Sequence, residues 1–405
     1  MNNIVIVGAG EAGGRAAIAL REGGYAGRLT LIGEENHAPY ERPPLSKAAI
    51  VEPDEPRPTT ISGGDRLGEL NIERLAGVAV AAIERAERTV ALADGRRLAY
   101  DALILATGAR ARRLNLPGGE HALALRSFED AQRLRARIRA AERVIVIGGG
   151  FIGLELAAAA RTLRREVTLL EADTRLLRRS TPEVLASALE ARHVREGVAI
   201  AKGVRIERIA SRGRGFVVHS SVGEREADLV VAGIGAEPRT ELAAAAGLAV
   251  DNGIVVDSLL RTSDPHIQAV GDCANFPHPL YPGRRMRLEA WRHAFDSGVH
   301  AARTLLGAEG AYAAPPWFWS DQYDLTLQIV GLPEAGETIV ARDLAGGATM
   351  LFHLDGDGRL VAAGGLGTIE RIGKEVKLAE RLIGRGARPA PSGLADASVN
   401  LKKLI

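Results

Sequence analysis

The chain has 405 residues, of which 46% are hydrophobic and 25% charged, and its formal net charge is +2. This length and composition predict an ordinary globular protein of two or three domains. The small net charge gives no argument for a nucleic-acid partner, and the sequence offers no run of about 18 apolar residues for a membrane helix. Only Met1, Asn2 and Asn3 precede the first predicted strand, so we expect no signal peptide and a cytoplasmic protein.

The first predicted elements form a βαβ unit around a glycine motif. Residues 4–7 predict an apolar strand, residues 12–21 a helix and residues 29–32 a second strand. Gly8, Gly10 and Gly13 form G-x-G-x-x-G between the first strand and the helix. The first glycine allows a tight turn, the second lets the backbone approach a pyrophosphate, and the third lets helix and strand pack closely. Such a turn is often only a turn, but Glu34 follows the second strand, where a carboxylate can bind ribose hydroxyls. We predict a dinucleotide site.

A stiff loop follows this unit. Pro43 and Pro44 exclude a helix until Leu45 or Ser46. Only six of the 52 basic residues are lysines, and Lys47 is the only lysine before Lys202. A solitary lysine among arginines suggests a requirement for a compact ammonium group. The loop could therefore hold Arg42, Pro44 and Lys47 against a cofactor, or it could be a rigid surface turn.

The motif occurs a second time. After predicted strands at 78–83, 89–92 and 101–106, residues 143–173 repeat the βαβ pattern with Gly148, Gly150 and Gly153, and Glu171 follows its second strand. The returning segment DALILATGARAR at 101–112 is echoed by DLVVAGIGAEPR at 228–239. Two copies predict two dinucleotides. Glu155, in the first turn of the second helix, is either functional or a carboxylate that complements the helix dipole.

The segment 254–272 predicts a strand pair, with residues 267–270 as the last parallel strand. Asp272 at the end of that strand could bind a ribityl chain or cap a helix in the run 286–306. Cys273 is the only cysteine, so a dithiol–disulfide relay within the chain is not expected, and we expect no metal site. Arg284, Arg285, Arg287 and Arg292 could dock an acidic partner, or they could be ordinary surface charges.

The last ninety residues predict a small α+β domain with no nucleotide motif. Strands are predicted at 326–330, 338–341, 348–354 and 360–366, and apolar residues recur at helical spacing from Ile369 to Ile383. Trp317 and Trp319 are more often core or domain-interface residues than parts of an active site.

Together, ERPPLSK, ATGAR, GGGFIGLE, GIGAEP, AVGDC and PWFWSDQYD make the whole chain resemble the ferredoxin reductases of bacterial dioxygenase and cytochrome P450 systems. The resemblance implies an α/β fold with two Rossmann-like dinucleotide-binding domains, glutathione-reductase-like, plus a C-terminal α+β domain. It implies a discontinuous FAD domain at 1–112 and 234–313, an NAD domain at 113–233 and a C-terminal domain at 314–405.

The resemblance also implies residue roles. Lys47, near the flavin N5 edge, would pair with Glu155 beside the nicotinamide, and these two are the expected catalytic residues. The residues that it assigns to FAD are Gly8, Gly10, Ala12, Gly13, Glu34, Arg42, Pro44, Lys47, Val80, Ala106, Thr107, Gly108, Arg126, Gly271, Asp272, Glu289, Ala290 and Trp291. Those that it assigns to NADH are Gly148, Gly150, Phe151, Ile152, Gly153, Glu155, Glu171 and Gly235.

The expected reaction passes a hydride from NADH to FAD and then single electrons to a [2Fe-2S] ferredoxin, because nicotinamide gives electrons in pairs and the cluster accepts one. Glu171 favours NADH, since an acid at this position accepts from the 2′-hydroxyl and repels a 2′-phosphate. Alternatives with the same motifs are a rubredoxin or other acceptor reductase, or an apoptosis-inducing-factor-like redox sensor. We expect neither a nucleic acid nor a membrane as partner, and a monomer or homodimer.

Overall fold

The structure is a computed structural model, and it describes residues 1–404. Tertiary contacts divide the chain into two compact units. The first unit comprises Met1–Glu41, Pro58–Arg110 and Ala236–Pro316. The second comprises Arg42–Arg57, Ala111–Gly235 and the chain from Trp317 onward. The expected NAD and C-terminal domains thus share one unit, together with the short loop that carries Lys47.

A five-stranded parallel sheet forms the centre of the first unit. Its strands are, in spatial order, Ile267–Ala269, Ala102–Leu105, Asn3–Val7, Arg28–Gly33 and Glu73–Ala76. The central strands are almost wholly apolar because both faces are covered, as in other parallel sheets. Smaller antiparallel and mixed sheets flank it, with strands Val80–Glu84, Thr89–Leu92, Arg97–Ala99, Ile254–Val255, Ala274–Pro277 and Arg285–Met286.

Two long helices of the first unit pack closely on each other. A Cβ added at Gly298, in the second of them, would lie 2.3 Å from the backbone oxygen of Ala12 in the first. Only a residue without a side chain permits this approach. The helical segments of the unit are Glu11–Glu22, Arg66–Glu69, Glu241–Ala245, Trp291–Leu305 and the 3-10 turn Gly271–Cys273.

The second unit contains a parallel sheet of its own. Its strands are, in spatial order, Val198–Ala201, Glu166–Leu170, Arg143–Ile147 and Leu229–Ala232. An antiparallel meander follows, with strands Ile206–Arg212, Gly215–Ser220 and Gly223–Ala227. The short strands Ala109–Ala111 and Ala236–Pro238 pair with each other where the chain leaves and re-enters the first unit.

The C-terminal part of the second unit is a five-stranded antiparallel sheet with a long helix. The strands are, in spatial order, Trp317–Gln322, Leu325–Gly331, Leu360–Gly367, Thr349–Leu354 and Thr338–Asp343. The α-helices of the unit are Ala48–Val51, Phe128–Ala140, Phe151–Thr162, Glu183–Arg195, Ile369–Gly384 and Pro391–Ala395. Its 3-10 turns are Pro43–Ser46, Gly119–His121, Pro333–Ala335, Ala345–Gly347 and Leu401–Leu404. No helix among residues 1–404 is long and apolar enough to cross a membrane.

Two local predictions were wrong, and one alternative left open by the sequence is excluded. Ile254–Val255 pairs in parallel with Ala274–Pro277 and lies outside the sheet of Ile267–Ala269, so the predicted strand pair does not form. The helix expected within 286–306 begins at Trp291 after Ala290, so Asp272 does not cap it. A 3-10 turn begins at Pro43, because proline is tolerated in the first turn of a helix, where its missing N–H has no partner to lose.

Candidate active site

The first glycine motif forms the tight turn that the sequence predicted. Gly8 has φ +112°, and a Cβ there would lie 2.1 Å from the Ala106 oxygen on the returning strand. A Cβ at Gly13 would lie 1.9 Å from the Gly8 oxygen. Both positions therefore require glycine, the first for its backbone conformation and the second for the contact between helix and turn.

The end of the helix Glu11–Glu22 fits an anionic ligand. Gly10 precedes the helix and no side chain caps its first N–H groups. A Cβ at Gly10 would meet no atom within 4 Å, so the space in front of these donors is open. Backbone N–H groups together with the helix dipole favour a phosphate at such a position. The residues present therefore fit the pyrophosphate of FAD.

Two charged residues in this helix pair with each other. Glu11 Oε1 accepts from Arg15 Nε at 2.8 Å, one turn away, and the Arg15 guanidinium lies 4.6 Å from the ring centre of Phe295. Burial raises the pKa of the Glu11 carboxyl, and the Arg15 contact opposes that rise. Trp291, a predicted flavin residue, packs on Phe295 with ring centres 5.8 Å apart. Sequence reasoning missed the Glu11–Arg15 pair, although its i, i+4 spacing was visible.

Glu34, the predicted ribose ligand, is more than half exposed and forms an ion pair with Arg239 at 2.6 Å. Arg239 in turn lies against the turn formed by Ala106, Thr107 and Gly108, where its backbone oxygen accepts from Thr107 Oγ1 at 2.6 Å and its N–H donates to Gly108. Tertiary structure thus adds an arginine that sequence reasoning did not assign. Val80, predicted beside the adenine, begins a strand of the same unit and pairs with Leu92.

Asp272 lies in the 3-10 turn at the carboxyl end of the last parallel strand. Gly271, with φ +70°, packs against Ala12, and its N–H donates to Ser297 Oγ at 3.0 Å. Burial lowers the pKa of the nearby His293 to about 4, and His293 Nε2 lies 3.3 Å from the Gly271 oxygen. The turn is therefore held from several sides, and it presents Asp272 at the sheet edge where ligands of α/β folds bind.

The cysteine next to Asp272 is buried in the core of the first unit. Cys273 is fully buried, and its thiol donates to the Val270 oxygen at 3.2 Å. Burial raises the pKa of the thiol, so the reactive thiolate is disfavoured. Because the chain has one cysteine, a second thiol for an internal disulfide is absent from the sequence.

The four arginines predicted to dock a partner differ in their surroundings. Arg285 donates to the backbone oxygens of Val256 and Asn275 at 2.7 and 2.5 Å, yet the residue remains exposed. Two others are neutralised by neighbours: Arg287 pairs with Glu289 and Arg292 with Asp296, each at 2.7 Å. Arg284 is exposed. Ala290 ends this segment as the residue before the helix.

The second motif repeats the turn of the first. Gly148 has φ +104°, and a Cβ at Gly153 would lie 2.0 Å from the Gly148 oxygen. Gly150 precedes the helix Phe151–Thr162 without a side-chain cap, and a Cβ there would meet only the Gly233 oxygen, at 3.7 Å. This end also fits a pyrophosphate. Phe151 and Ile152 form the first turn; the Phe151 ring lies 4.7 Å from that of Phe318, and Ile152 is exposed.

Glu171 is fixed by backbone donors. Its Oε2 accepts from the Gly149 N–H at 2.5 Å and its Oε1 from the Asp173 N–H at 2.6 Å. A Cβ at Gly149 would lie 2.4 Å from Leu176 Cδ2 and 3.0 Å from Glu171 Oε2, so a glycine here leaves room for both side chains at the turn. Arg175 does not face this carboxylate, because its guanidinium donates to the backbone oxygens of Leu176, Arg178 and Thr181. Gly149 was missed from the sequence.

Lys47 and Glu155 form the predicted pair. Lys47 Nζ lies 2.9 Å from Glu155 Oε1, and the carboxylate is 5% exposed. Ser320 Oγ donates to the same oxygen at 2.6 Å, and Ser46 Oγ donates to Oε2. A buried carboxylate with an ammonium and two hydroxyl partners is well satisfied. Sequence reasoning found Lys47 and Glu155 but neither serine.

The loop that carries Lys47 is clamped from the helix Phe128–Ala140. Arg135 is buried and donates to the backbone oxygens of Ala49, Ile50, Glu52, Pro53 and Asp54. These include oxygens at the end of the helix Ala48–Val51, which lack partners within the helix. Arg42, a predicted flavin residue, donates to the Arg126 oxygen at 2.5 Å, and Lys47 N–H donates to Pro44.

Gly235, a predicted NADH residue, and the two tryptophans of the C-terminal sheet have contacts of their own. Gly235, with φ +98°, lies beyond the end of the returning strand Leu229–Ala232 and accepts from the Arg112 N–H at 2.9 Å. Trp317 and Trp319 stack on each other with ring centres 5.1 Å apart, and Trp319 Nε1 donates to Asp321. The strand that carries both tryptophans reaches the Glu155 carboxylate through Ser320.

Residues 2–298 match the family described as pyridine nucleotide-disulphide oxidoreductase, and residues 317–405 match the family described as reductase C-terminal. The chain belongs to the pyridine nucleotide-disulphide oxidoreductases. The recognition made from its motifs, the α/β fold and the oxidoreductase class are therefore confirmed. The single buried cysteine distinguishes this reductase from family members that use a disulfide.

Several relatives of this chain are ferredoxin reductases, and a rubredoxin–NAD(+) reductase of Pseudomonas putida is 40% identical over 84% of this chain and 89% of the relative. This chain is 44% identical to the ferredoxin–NAD(+) reductase component of the anthranilate 1,2-dioxygenase system of Burkholderia cepacia, over 99% of this chain and 98% of the relative. Among solved structures, the ferredoxin reductase of the CYP199A2 system of Rhodopseudomonas palustris has a TM-score of 0.94 at 37% identity, covering 100% and 99% of the two chains. Putidaredoxin reductase in its covalent complex with putidaredoxin has a TM-score of 0.92 at 38% identity, covering 100% and 98%.

Proposed function

We propose that the protein is a flavoprotein ferredoxin reductase that takes hydride from NADH and supplies single electrons to a [2Fe-2S] ferredoxin of an oxygenase system. FAD supplies the conversion, since it accepts the hydride and gives up its two electrons one at a time. The balanced reaction oxidises one NADH and reduces two ferredoxins, with release of one proton. The observation that carries the proposal is the pair of uncapped glycine-motif helices, one in each unit, together with a single buried cysteine.

We assign FAD to the first motif. Gly8, Gly10 and Gly13 provide the turn and the free N–H groups for its pyrophosphate, and Glu34 with Arg239 supplies polar groups for the adenosine ribose. Asp272 would accept from the ribityl hydroxyls, because it follows the parallel strand at the sheet edge. Trp291 would pack on the flavin. Four residues of the second unit are assigned to the flavin on the family resemblance alone, namely Arg42, Pro44, Lys47 and Arg126.

We assign NADH to the second motif. The open end of the helix Phe151–Thr162 would hold the pyrophosphate. Glu171, held by the Gly149 and Asp173 N–H groups, keeps acceptor capacity for the ribose 2′-hydroxyl, since each carboxylate oxygen has two lone pairs. Arg175 is occupied by backbone oxygens, which supports a preference for NADH over NADPH.

We assign the reacting end of the nicotinamide to the neighbourhood of the Lys47–Glu155 pair. Both side chains are held in place: the Lys47 loop by Arg135, and the Glu155 carboxylate by Ser46 and Ser320. Groups that are fixed before the substrate binds need no rearrangement during the reaction. This preorganisation lowers the activation free energy of hydride transfer. The pair would orient the nicotinamide and the flavin edge, and it leaves neither charge unpaired in a mostly buried place.

The docking of ferredoxin is proposed for the surface segment 284–292. Arg284 and Arg285 carry exposed charge there, whereas Arg287 and Arg292 are paired with carboxylates. Positive side chains at the rim of an interface attract an acidic partner and raise the association rate. The proposal also places the protein in the cytoplasm, where NADH is available. It is expected to be a monomer or a homodimer.

Stopped-flow absorbance of the yellow protein tests the function. We expect rapid flavin bleaching by NADH, slow bleaching by NADPH, and reduction of a [2Fe-2S] ferredoxin when it is present. Bleaching without electron delivery to ferredoxin would contradict the acceptor and would favour rubredoxin, another acceptor or a redox-sensor role. Bleaching at equal rates by NADH and NADPH would contradict the role of Glu171.

A further inference from the structure

A row of buried polar side chains extends from the Glu155 carboxylate into the C-terminal sheet. Ser320 Oγ donates to Glu155, and Gln322 Nε2 donates to Ser320 Oγ at 2.9 Å. Gln322 Oε1 lies 2.6 Å from His193 Nε2, and His193 Nδ1 lies 3.1 Å from the Tyr323 hydroxyl. Ser320, Gln322 and His193 are each at most 1% exposed. All of these residues belong to the second unit.

The row has a single direction. Glu155 can only accept from Ser320, so the Ser320 oxygen is left to accept from the Gln322 amide nitrogen. The Gln322 amide oxygen then faces His193, which must carry its proton on Nε2. His193 Nδ1 is left to accept from the Tyr323 hydroxyl. In each hydrogen bond of the row, the donor is therefore the group farther from the Glu155 carboxylate and the acceptor is the group nearer to it. Hydrogen bonds aligned in one direction in this way strengthen one another.

Its outer end is held by an unusual hairpin. Tyr323 has φ +58° in the two-residue turn between the strands Trp317–Gln322 and Leu325–Gly331, a conformation that is rare for a bulky side chain. The Arg192 guanidinium lies 5.1 Å from its ring centre, and Arg192 also pairs with Glu196 at 2.8 Å and with Asp324. Burial lowers the pKa of His193, which agrees with a neutral imidazole in the row. Backbone strain at such a place is a reason to look for a role.

We propose that Gln322 and His193 are positioning residues for hydride transfer, which act through the Ser320 hydroxyl on Glu155 and its pairing with Lys47. The proposal rests on the proposed function, in which that pair orients the nicotinamide. It assigns the strand Trp317–Gln322 and the helix Glu183–Arg195 a part in the chemistry. The alternative is a purely structural role, in which these polar contacts only join the helix to the sheet. The positioning role and the structural role make different kinetic predictions.

The first measurement needs no NADH. In the flavin-loaded, ¹⁵N-labelled protein, the His193 signals should show a neutral ring protonated on Nε2 at pH 7. A ring protonated on Nδ1, or a charged ring, would overturn the direction of the row. Because this readout does not depend on reduction by NADH, it separates a failure of the row from a failure of the proposed function, which would appear as no flavin bleaching in the unmodified protein.

The second measurement is single-turnover flavin reduction across a range of NADH concentrations. Gln322→Met removes both hydrogen bonds of the amide at nearly constant volume. We expect the limiting rate to fall about tenfold, while the apparent NADH dissociation constant changes less than about threefold, because the loss affects hydride transfer more than binding. A limiting rate unchanged in a folded, flavin-loaded Gln322→Met protein would overturn the proposal. Gln328→Met is the matched control, since Gln328 is a buried glutamine on the neighbouring strand.

A rescue at His193 tests the same proposal without altering Gln322. His193→Gln retains an N–H where Nε2 stands, and His193→Leu does not. We expect His193→Gln to keep the limiting rate within about threefold of the unmodified protein and His193→Leu to lose about tenfold. Equal rates for the two variants would show that donation to Gln322 has no effect on the reaction, and would overturn the proposal.

Discussion

The helices Glu11–Glu22 and Phe151–Thr162 follow the same motif, yet they use it differently. Their turns agree closely: a Cβ at Gly13 or Gly153 would come within 2.0 Å of the oxygen of the first glycine. The fifth residue after the second glycine is Arg15 in one helix and Glu155 in the other. Arg15 is paired within its own helix, because Glu11 lies one turn before it.

Phe151 occupies the position in the second helix that Glu11 occupies in the first. Glu155 therefore has no charged residue one turn before it with which it could form an ion pair. Its charge is met by Lys47, Ser46 and Ser320 from distant parts of the chain. The acidic residues that follow the second strand of each βαβ unit also have different partners. Glu34 is exposed and forms an ion pair with an arginine, whereas the Glu171 carboxylate accepts from backbone N–H groups. The motif thus fixes the turn, and the neighbours of the helix decide what the site can do.

The largest expected effect tests the shared part of the two helices. Gly13→Ala should yield protein without bound flavin and should destabilise the fold by about 3 kcal/mol, because the added Cβ meets backbone that cannot move aside. Gly10→Ala is the control for stability alone: its Cβ would meet no protein atom within 4 Å, so thermal unfolding should be unchanged even though Gly10 belongs to the proposed pyrophosphate site. For each variant, the flavin-to-protein absorbance ratio measures the flavin content and thermal unfolding measures the stability. A Gly13→Ala protein with normal flavin content and stability would contradict the common geometry.

The next effect tests the difference between Arg15 and Glu155. Glu155→Gln removes the charge that faces Lys47, and we expect flavin reduction at saturating NADH to slow about a hundredfold, as when a group that orients the reactants is misplaced. Arg15→Gln should slow it less than about threefold, since Arg15 pairs locally with Glu11. Stopped-flow absorbance gives both rates. Similar losses in the two variants would mean that the helices are not specialised.

A smaller effect is expected at the two ribose acids. Glu171→Ala removes the acceptor for the ribose hydroxyl, and we expect the KM for NADH to rise about tenfold, with a smaller preference over NADPH. Glu34→Ala should leave the KM for NADH nearly unchanged and should weaken the retention of FAD. Steady-state kinetics with both nucleotides, and dilution of the holoprotein followed by flavin fluorescence, separate the two. A change in NADH binding for Glu34→Ala would contradict the assignment of one dinucleotide to each unit.

The smallest effect concerns docking on the first unit. Arg284→Glu should lower the rate of ferredoxin reduction about threefold at low salt, with the difference disappearing at high salt, because a rim charge acts mainly on association. Arg388→Glu, at an exposed arginine of the second unit, makes the same change in net charge and should leave that rate unchanged. Equal losses in both variants would indicate a net-charge effect and would contradict docking at 284–292.

The sequence by itself determined both βαβ units and most strand positions, and its resemblance to a known family implied the Lys47–Glu155 pair. These features depend on local patterns: apolar runs, glycines whose spacing a tight turn requires, and motifs long enough to show the family. It also determined the C-terminal sheet from its alternating strands, apart from Trp317–Gln322, whose tryptophans and charges obscured the alternation. One prediction failed because the partner of the strand Ile254–Val255 was misjudged, and the structure excludes Asp272 as the cap of the helix that begins at Trp291.

Only the tertiary structure decided what surrounds each motif. Ser320 lies 165 residues from Glu155 along the chain, and Arg239 lies 205 residues from Glu34. No local pattern marks such partners, because a hydroxyl or a guanidinium joins a site through the packing of whole elements. The row through Gln322 and His193 has the same origin: its residues are ordinary in sequence, and burial alone obliges their polar atoms to find one another.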